Sequence, residues 1–250
     1  MRTAAIRAPV AARAEVRPTF KSSDIPAVAI PPYLSKHYWW AYIDPRAIRF
    51  FDRQWIINLI LWGNYARLRD AALAAMGTAM PDRTLQLACA YGDLTPHLCQ
   101  RVSASGGRLD IVDVVPAQLG NVRRKLPPDA PVRFLNMDSS DLNMPDAAYD
   151  RAIVYLLFHE QPVSHRTRTL GELLRVVKPG GRIVVVDYAP PRWWNPLRYV
   201  LGPLLAALEP FALDLWRDDI AAWMPKPWSE RPVHRESFFG GLYQKIVLTR

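Results

Sequence analysis

The sequence has few cysteines and no long apolar run. Cys89 and Cys99 are its only cysteines, which excludes a disulfide framework or a cysteine-rich metal knuckle and suits a reducing compartment. No stretch of about twenty residues is apolar enough to span a bilayer. The nearest candidate, residues 196–216, is interrupted by three prolines and three charged residues. We therefore expect a protein that can lie on a membrane without crossing it.

The N-terminus lacks the apolar core of a secretory signal. Residues 1–23 carry five basic residues and the single acid Glu15, a composition typical of a mitochondrial presequence. However, Pro9 and Pro18 interrupt any long amphipathic helix. We predict a flexible tail over residues 1–30, with a mitochondrial presequence as the alternative.

The chain also lacks a block of basic residues, although its formal net charge is +9. Such a charge favours an anionic neighbour, either nucleic acid or an acidic membrane surface. The arginines are scattered along the chain, and no zinc-finger or RNA-recognition pattern is present. The sequence therefore argues against nucleic acid as a partner and favours an anionic membrane surface.

Residues 31–80 are predicted to form a helical N-terminal cap. Five aromatic residues lie between Tyr33 and Tyr42, and Pro45 suits the first turn of a helix. From Arg46 the apolar residues recur at three- and four-residue steps, which indicates one amphipathic helix. They are Ile48, Phe51, Trp55, Leu59 and Trp62. We expect part of this cap to cover a substrate; burial of the same aromatic residues against the core is the alternative.

Short apolar runs and helix-compatible segments alternate from residue 81 onward. The predicted strands are Thr84–Ala88, Arg108–Val112, Val132–Asn136, Arg151–Tyr155 and Arg182–Asp187, with helices over Asp93–Ser103, Pro116–Leu126 and Ser164–Val177. This alternation predicts an α/β, Rossmann-like parallel sheet whose ligands bind beyond the carboxyl ends of the strands. A Trp- and Pro-rich insertion is predicted at residues 188–228, followed by two further strands, Val233–Phe239 and Leu242–Thr249. We predict that residues 81–250, including this insertion, form one domain.

The loop after the first predicted strand nearly matches the cofactor-binding loop of class I S-adenosylmethionine (SAM) enzymes. In those enzymes the strand leads into an acidic residue, a small residue and a Gly-x-Gly turn. Here Gln86 takes the acidic place, Ala88 and Ala90 take the places of the first glycines, and Tyr91 precedes Gly92. The fold signal is retained, whereas the residues expected to contact the cofactor have changed.

Acidic residues follow the next two predicted strands. Asp113 is placed to bind ribose hydroxyls, about twenty residues after the loop. Asp138 is placed to accept a hydrogen bond from the adenine amino group, with Met137 packed on the ring. The loop itself should offer free N–H groups to the carboxylate of SAM. The alternative is that each aspartate only caps a helix.

Four segments resemble the successive motifs of quinone methyltransferases. They are Asp110–Asp113, Asn136–Leu142, Leu173–Gly181 and Glu236–Leu242, the last similar to the C-terminal motif of ubiquinone/menaquinone biosynthesis C-methyltransferases. Three more resemble the rhodoquinone biosynthesis methyltransferase-like family: Tyr38–Tyr42, Phe50–Asn64 and Leu85–Thr95. The similarity covers roughly Pro32 to the end of the chain.

This resemblance implies conversion of ubiquinone to rhodoquinone, in which an amino group replaces a ring methoxy group. It also implies SAM as the amino donor and a divalent metal, manganese, as Lewis acid. A neutral Gln86 would hold the SAM ammonium group less firmly than an acid, and Tyr91 would reposition or deprotonate it. A free amine then adds to the electron-poor ring and expels methoxide.

Polar residues after the fourth predicted strand are candidates for the chemistry at the acceptor. We predict catalytic roles for Tyr155 and His159, beside Tyr91 and Gln86. The predicted metal ligands are His159, Glu160 and Asp141, with Asp187 as a further oxygen ligand. Helix capping by His159 and Glu160 is the alternative.

The insertion is the expected entry for a polyprenyl tail, because its five tryptophans suit a membrane interface. We predict a peripheral enzyme on the cytoplasmic face of a bacterial inner membrane, or alternatively on the mitochondrial inner membrane. Two other functions remain open: a conventional SAM-dependent quinone C- or O-methyltransferase, and a non-catalytic SAM-fold scaffold in quinone biosynthesis.

Overall fold

The computed structural model describes residues 28–89, 91–231 and 233–250. The tail predicted over residues 1–30, with its presequence alternative, lies outside the described residues except for its last three positions. Ala90 of the loop also lies outside them. None of the described helices is long and apolar enough to span a membrane.

Seven strands form one sheet in the order β3-β2-β1-β4-β5-β7-β6. The strands are β1 (Arg83–Leu87), β2 (Arg108–Asp113), β3 (Val132–Asn136), β4 (Tyr149–Tyr155), β5 (Val177–Tyr188), β6 (His234–Phe238) and β7 (Tyr243–Thr249). β1 to β5 are parallel, and β7 is antiparallel to both of its neighbours. The predicted Rossmann-like α/β fold is confirmed, and the parallel strands end at one shared edge.

A tight turn lies within β5, which begins earlier than the predicted strand Arg182–Asp187. The segment Lys178–Gly181 lies inside β5, where the pairing with β4 jumps from Tyr149↔Val177 to Arg151↔Arg182. Gly180 adopts φ +78° there, a left-handed conformation that glycine accepts without steric cost. The turn therefore forms a bulge within β5.

The helices before the sheet are α1 (Pro32–His37), α2 (Pro45–Phe51), α3 (Gln54–Ile60) and α4 (Tyr65–Met76), with a π-helical turn at Trp39–Ile43. The single helix predicted from Arg46 is therefore two helices, broken at Asp52 and Arg53. Asp52 turns its carboxylate toward the loop after β1, where it accepts the Gly92 N–H at 2.9 Å, and Arg53 adopts an extended conformation. This tertiary bond explains the break that periodicity did not indicate.

The helices between and after the strands are α5 (Leu94–Ala104), α6 (Pro116–Arg123), α7 (Val163–Val176), α8 (Leu197–Leu208) and α9 (Asp214–Arg217). α8 and α9 belong to the insertion, which a fully buried arginine ties to the sheet. Arg166 in α7 donates hydrogen bonds to the carbonyls of Phe158, Gln161 and Phe211, and its guanidinium lies 4.1 Å from the Trp223 ring centroid. The insertion is therefore fixed above the carboxyl end of β4.

Candidate functional site

A cavity of about 430 Å³ lies beyond the carboxyl ends of β1 to β4, between the cap and α8. Most of the predicted site residues line it. They are Ala88, Tyr91, Asp113, Met137, Asp138, Tyr155, His159 and Glu160. Cap residues such as Tyr42 and insertion residues such as Leu205 complete its walls. The topology therefore brings the end of β1 and the end of β4 into one site, as the sequence predicts.

In the loop after β1, Ala88 adopts a backbone conformation that is typical of glycine. Ala88 has φ +65°, in the left-handed region that costs an L-residue roughly 1–2 kcal/mol. Gly92 has φ +82°, and a Cβ at this position would lie 2.5 Å from the Tyr65 ring. The left-handed backbone and the close contact with Tyr65 thus explain why position 92 requires glycine. Gly92 does not itself line the cavity.

The N–H groups at this loop already have partners. Gly92 donates to Asp52 Oδ1 at 2.9 Å, and Cys89 donates to Asp113 Oδ2 at 2.7 Å. The N–H groups of Asp93 and Leu94 both donate to the Tyr65 hydroxyl, at 2.8 and 2.9 Å. The predicted free N–H groups are therefore satisfied at these four positions. The sequence carried no signal that side chains from α2 and α4 would reach the loop.

Gln86 lies beneath the loop and does not line the cavity. It is fully buried, and its Nε2 donates to the Ala88 carbonyl and to Thr95 Oγ1, both at 2.9 Å. The predicted catalytic and cofactor contacts of Gln86 are corrected accordingly. Gln86 is a positioning residue that holds the loop against α5.

Tyr91 joins the loop to the cap. Its hydroxyl donates to the Ala41 carbonyl and accepts from Gln118 Nε2 at 3.0 Å, while its ring stacks on Tyr42 with 5.6 Å between centroids. Burial raises the pKa of Tyr91 well above its ordinary value. The phenol therefore stays protonated near neutral pH, so the predicted role of Tyr91 as a base is not supported.

Two aspartates line the wall beside the loop. Asp113 accepts the N–H groups of Cys89 and Val115 at 2.7 and 2.8 Å, and burial raises its pKa to about 6 despite these bonds. Asp138 Oδ1 accepts the Ser140 N–H at 2.8 Å in a turn of the loop between β3 and β4, where no helix follows for it to cap. The side chains of Asp113 and Asp138 both line the cavity, as does Met137, which immediately precedes Asp138 in the chain.

The opposite end of the cavity holds a histidine–aspartate pair. His159, in the 3₁₀ turn Phe158–Glu160, faces Asp187 with 2.9 Å between Nδ1 and Oδ1. Asp187 is fully buried, and its Oδ2 accepts the N–H groups of Leu157 and Phe158. Burial lowers the pKa of His159, but Asp187 outweighs this effect and the pKa rises to about 9. The imidazole is therefore protonated at neutral pH.

Two carboxyl groups lie beside this pair. Glu160 Oε1 is 3.7 Å from His159 Nε2, and burial raises the pKa of Glu160 to about 8, with His159 opposing and Glu209 adding to the shift. Glu209 lines the same cavity from the end of α8, and burial raises its pKa as well. Glu209 is not among the site residues predicted from the sequence; its one signal is an isolated acid in a leucine-rich run.

Of the other residues predicted to act at this end, Tyr155 lies there and Asp141 does not. Tyr155 lines the cavity, and its hydroxyl lies 3.4 Å from the Tyr65 carbonyl. Asp141 is exposed on the loop after β3 and does not line the cavity. In the described part of the chain, no three His, Cys, Asp or Glu side chains are grouped closely enough to hold a metal ion. The predicted manganese set is therefore not formed, because Asp141 lies apart from His159 and Glu160.

The charge of the cavity suits a cationic cofactor. Its described lining includes four acids and no lysine or arginine. Asp113 and Asp138 lie at the loop end, whereas Glu160 and Glu209, whose pKa values are raised, lie with the protonated His159 at the opposite end. Aromatic rings of Tyr33, Tyr42 and Tyr91 lie among them, and ring faces attract cations. A sulfonium compound with an adenosine moiety such as SAM therefore fits the residues that line this cavity.

An exposed apolar rim surrounds the mouth of the cavity. Five apolar side chains of α3, of the segment after α3 and of α8 line the cavity and are also exposed to solvent. They are Leu59, Ile60, Trp62, Leu204 and Leu208. Further out, Trp55 and Trp193 have 62% and 78% of their surfaces exposed. Apolar surface concentrated in this way marks an interaction site.

Comparison with known proteins places this architecture among methyltransferases. A family model described as "Methyltransferase domain" matches residues 84–181. The solved O-methyltransferase family protein of Burkholderia thailandensis is similar, with a TM-score of 0.61 and 17% identity. The match covers 83% of this chain and 60% of that one. At this identity the likeness supports the fold alone.

Three curated relatives are quinone-biosynthesis methyltransferases. The chain is 37% identical to the demethylmenaquinone methyltransferase of Thermus thermophilus over 54% of its length, and 34% identical to that of Clavibacter sepedonicus over 66%. It is 29% identical to the ubiquinone/menaquinone biosynthesis C-methyltransferase of Stutzerimonas stutzeri over 54%. The matches span 60%, 69% and 54% of these relatives' own lengths.

Proposed function

Because this chain belongs to the class I SAM-dependent methyltransferases and is related to the ubiquinone/menaquinone biosynthesis methyltransferases, we propose that it transfers a group from SAM to the ring of a prenylated quinone. One observation carries the proposal. A single cavity joins the family's cofactor loop to a polar end at His159 and opens through an apolar rim. This arrangement suits a cationic cofactor, a polar ring and a hydrocarbon tail at the same time.

The cofactor would lie at the loop end. Asp113, Met137 and Asp138 would hold its adenosine moiety, and the acids of the cavity would favour its positive charge. When bound, SAM supplies either an activated methyl group or an amino group. Gln86 and Tyr91 keep the loop in place against α5 and the cap.

The acceptor ring would lie at the other end. The protonated His159, held by Asp187, is placed to stabilise negative charge that develops on a ring oxygen. The tail of the quinone would leave the cavity between α3 and α8, along Leu59 and Leu204. Both elements keep water away from the ring.

Two reactions fit this arrangement. The names of the relatives support methylation, in which a ring carbon loses a proton and gains a methyl group. The altered loop supports amination of ubiquinone to rhodoquinone, in which the SAM nitrogen bonds to a ring carbon and methoxide leaves with a proton as methanol. The N–Cα bond would then break by tautomerisation to a quinol imine and hydrolysis, which releases the aminoquinol and the keto acid of the SAM remainder. That second candidate rests on the neutral Gln86 and on Ala88 and Tyr91 in the loop. We propose no metal-dependent step for either reaction, because the predicted manganese ligands do not assemble into a site.

Mass spectrometry of the quinone product tests the proposal. Purified protein would be incubated with ubiquinone, or with a quinone that lacks one ring methyl group, and with SAM labelled both in its methyl group and with nitrogen-15 in its amino group. Transfer of the methyl label indicates methylation, and transfer of nitrogen-15 indicates amination. An unlabelled quinone, with SAM bound, would favour the non-catalytic scaffold.

We also propose that the apolar rim rests on an anionic bilayer, from which the substrate enters. The net charge of +9 and exposed arginines beside the rim, such as Arg53 and Arg192, support this partner. The cytoplasmic face of a bacterial inner membrane is the proposed location, with the mitochondrial inner membrane as the alternative. Sedimentation with vesicles containing phosphatidylglycerol should weaken in a Trp55→Ser/Trp193→Ser variant and persist in Val163→Ser, an exposed apolar site on α7.

A further inference from the structure

Two carboxyl groups from distant parts of the chain meet at the acceptor end of the cavity. Glu160 ends the 3₁₀ turn after β4, and Glu209 follows α8 in the insertion. Glu209 is the one acid in the apolar run Leu197–Leu213. An acid at this point is not needed for packing, since its neighbours in α8 bury leucines against the core.

Neither carboxyl group is fully paired within the described structure. Glu209 Oε2 is buried without a hydrogen-bond partner, and so is the hydroxyl of Tyr38, the phenol beside it. Glu160 is 8% exposed, its distance of 3.7 Å to His159 Nε2 is too long for a hydrogen bond, and the Tyr42 phenol is the donor beside it. The other nitrogen of His159 is already engaged by Asp187. Buried polar atoms without partners are costly and call for an explanation, and a ligand provides one.

We propose that Glu209 and Glu160 form a hydrogen-bonding subsite for a ring oxygen of the acceptor, either a quinone carbonyl or a quinol hydroxyl. The inference rests on the proposed function and specifies which side chains hold the ring. A carboxylic acid donates to a carbonyl and a carboxylate accepts from a hydroxyl, so both redox forms fit. No lysine or arginine lines the described cavity, so His159 is the cationic side chain available to a ring oxygen there.

The position of Glu209 gives this subsite its geometry. Arg166 ties the Phe158–Glu160 turn to Phe211, two residues after Glu209, through the carbonyls of Phe158 and Phe211. One buried side chain therefore joins the turn that carries Glu160 to the segment that follows Glu209. The insertion thus contributes a polar contact in addition to its apolar cover.

Binding of paired ligands tests the inference. The probes are 2,3-dimethoxy-5-methyl-1,4-benzoquinone and the arene with the same three substituents but no ring oxygens, each titrated by quenching of intrinsic fluorescence. Glu209→Ala should weaken quinone binding about tenfold, as expected for loss of one hydrogen bond to an ionisable group. Its affinity for the arene should not change. Glu209→Gln keeps a donor and an acceptor and should bind the quinone within about threefold of the original protein.

Two controls separate the possible failures. Glu230→Ala removes an exposed acid close to the same insertion and should leave both affinities unchanged. SAM binding by Glu209→Ala shows that the variant is folded. If the original protein binds SAM but no quinone, the proposed function is wrong and the subsite falls with it. If it binds quinone and Glu209→Ala binds equally well, only the subsite is overturned.

Discussion

The two ends of the cavity differ in how their polar groups are paired. At the loop end, polar groups of the backbone are satisfied by the protein itself, through Asp52, Tyr65 and Asp113. At the acceptor end, the buried Glu160 lies beside His159, and Oε2 of the half-buried Glu209 has no hydrogen-bond partner in the described part of the chain. The loop end thus pairs its backbone N–H groups, although Gln86 Oε1 and Gln118 Oε1 nearby lack partners, whereas the acceptor end leaves a carboxyl oxygen available for a ligand. Such unsatisfied groups reduce stability and are retained where function needs them.

The largest expected effect comes from removing the support of the acceptor end. Asp187→Ala should lower the free energy of unfolding by about 4 kcal/mol, because several buried N–H groups and a charged imidazole lose their partner. Urea denaturation measures the change. Asp146→Ala, which breaks an exposed pair with Arg175, is the control and should cost less than about 1 kcal/mol.

Burial of Glu160 should make the fold pH-sensitive. The pKa of Glu160 is about 8 against an ordinary value of 4.5, so the folded protein keeps a proton that the unfolded chain releases. The free energy of unfolding should therefore fall by a few kcal/mol between about pH 5 and pH 8. His159, with its pKa raised to about 9, acts in the same direction: its contribution is full below about pH 6.5 and is lost through pH 9.

Glu160→Gln isolates the part of this profile that belongs to the carboxyl group. The variant should be more stable than the original protein at pH 8 and should show a flatter profile between pH 5 and pH 8. Glu230→Gln, at an exposed position, should reproduce the original profile. An unchanged slope in Glu160→Gln would mean that Glu160 does not titrate as the structure indicates.

The loop end should respond more moderately. Asp52→Ala removes the partner of the Gly92 N–H, Asn121 and Lys125, so stability should fall by about 2 kcal/mol. Asp70→Ala, an exposed acid on α4, should change stability by less than about 0.5 kcal/mol. Equal effects of the two substitutions would show that the loop is not held by the cap.

The smallest effect concerns backbone strain in the loop. Ala88→Gly relieves a left-handed alanine and should raise stability by about 0.5 kcal/mol, after the entropy cost of glycine is subtracted. Ala66→Gly, exposed in α4, should instead lower stability by about 1 kcal/mol. Thermal unfolding of both variants measures the difference in sign. A destabilised Ala88→Gly would show that the loop does not keep this conformation in solution.

The sequence predicted the sheet because apolar runs and helix-compatible segments alternate over most of residues 81–187. It also placed Asp113 and Asp138 at strand ends, and both line the cavity. It could not orient Gln86, since Leu85, Gln86 and Leu87 are all fully buried in a parallel strand without alternation. For the same reason its contact with Thr95 was not foreseen.

Contacts between distant segments account for the other differences. Asp52 and Tyr65 meet the loop after β1 from positions that lie 40 and 28 residues earlier in the chain than the N–H groups they bind. Glu209 reaches the acceptor end only because Arg166 fixes the insertion. Local periodicity states which face of a helix is buried, but it does not state which partner covers that face.

If the two ends of the cavity have separate roles, they should hold two ligands at once. Titration of a short-tailed ubiquinone into protein saturated with S-adenosylhomocysteine measures this. We expect the quinone to bind with an affinity within about threefold of that measured without the cofactor product, since each ligand has its own end of the cavity. Competition, in which the apparent dissociation constant of the quinone rises in proportion to S-adenosylhomocysteine, would show that both ligands occupy one end and would contradict the two-ended cavity.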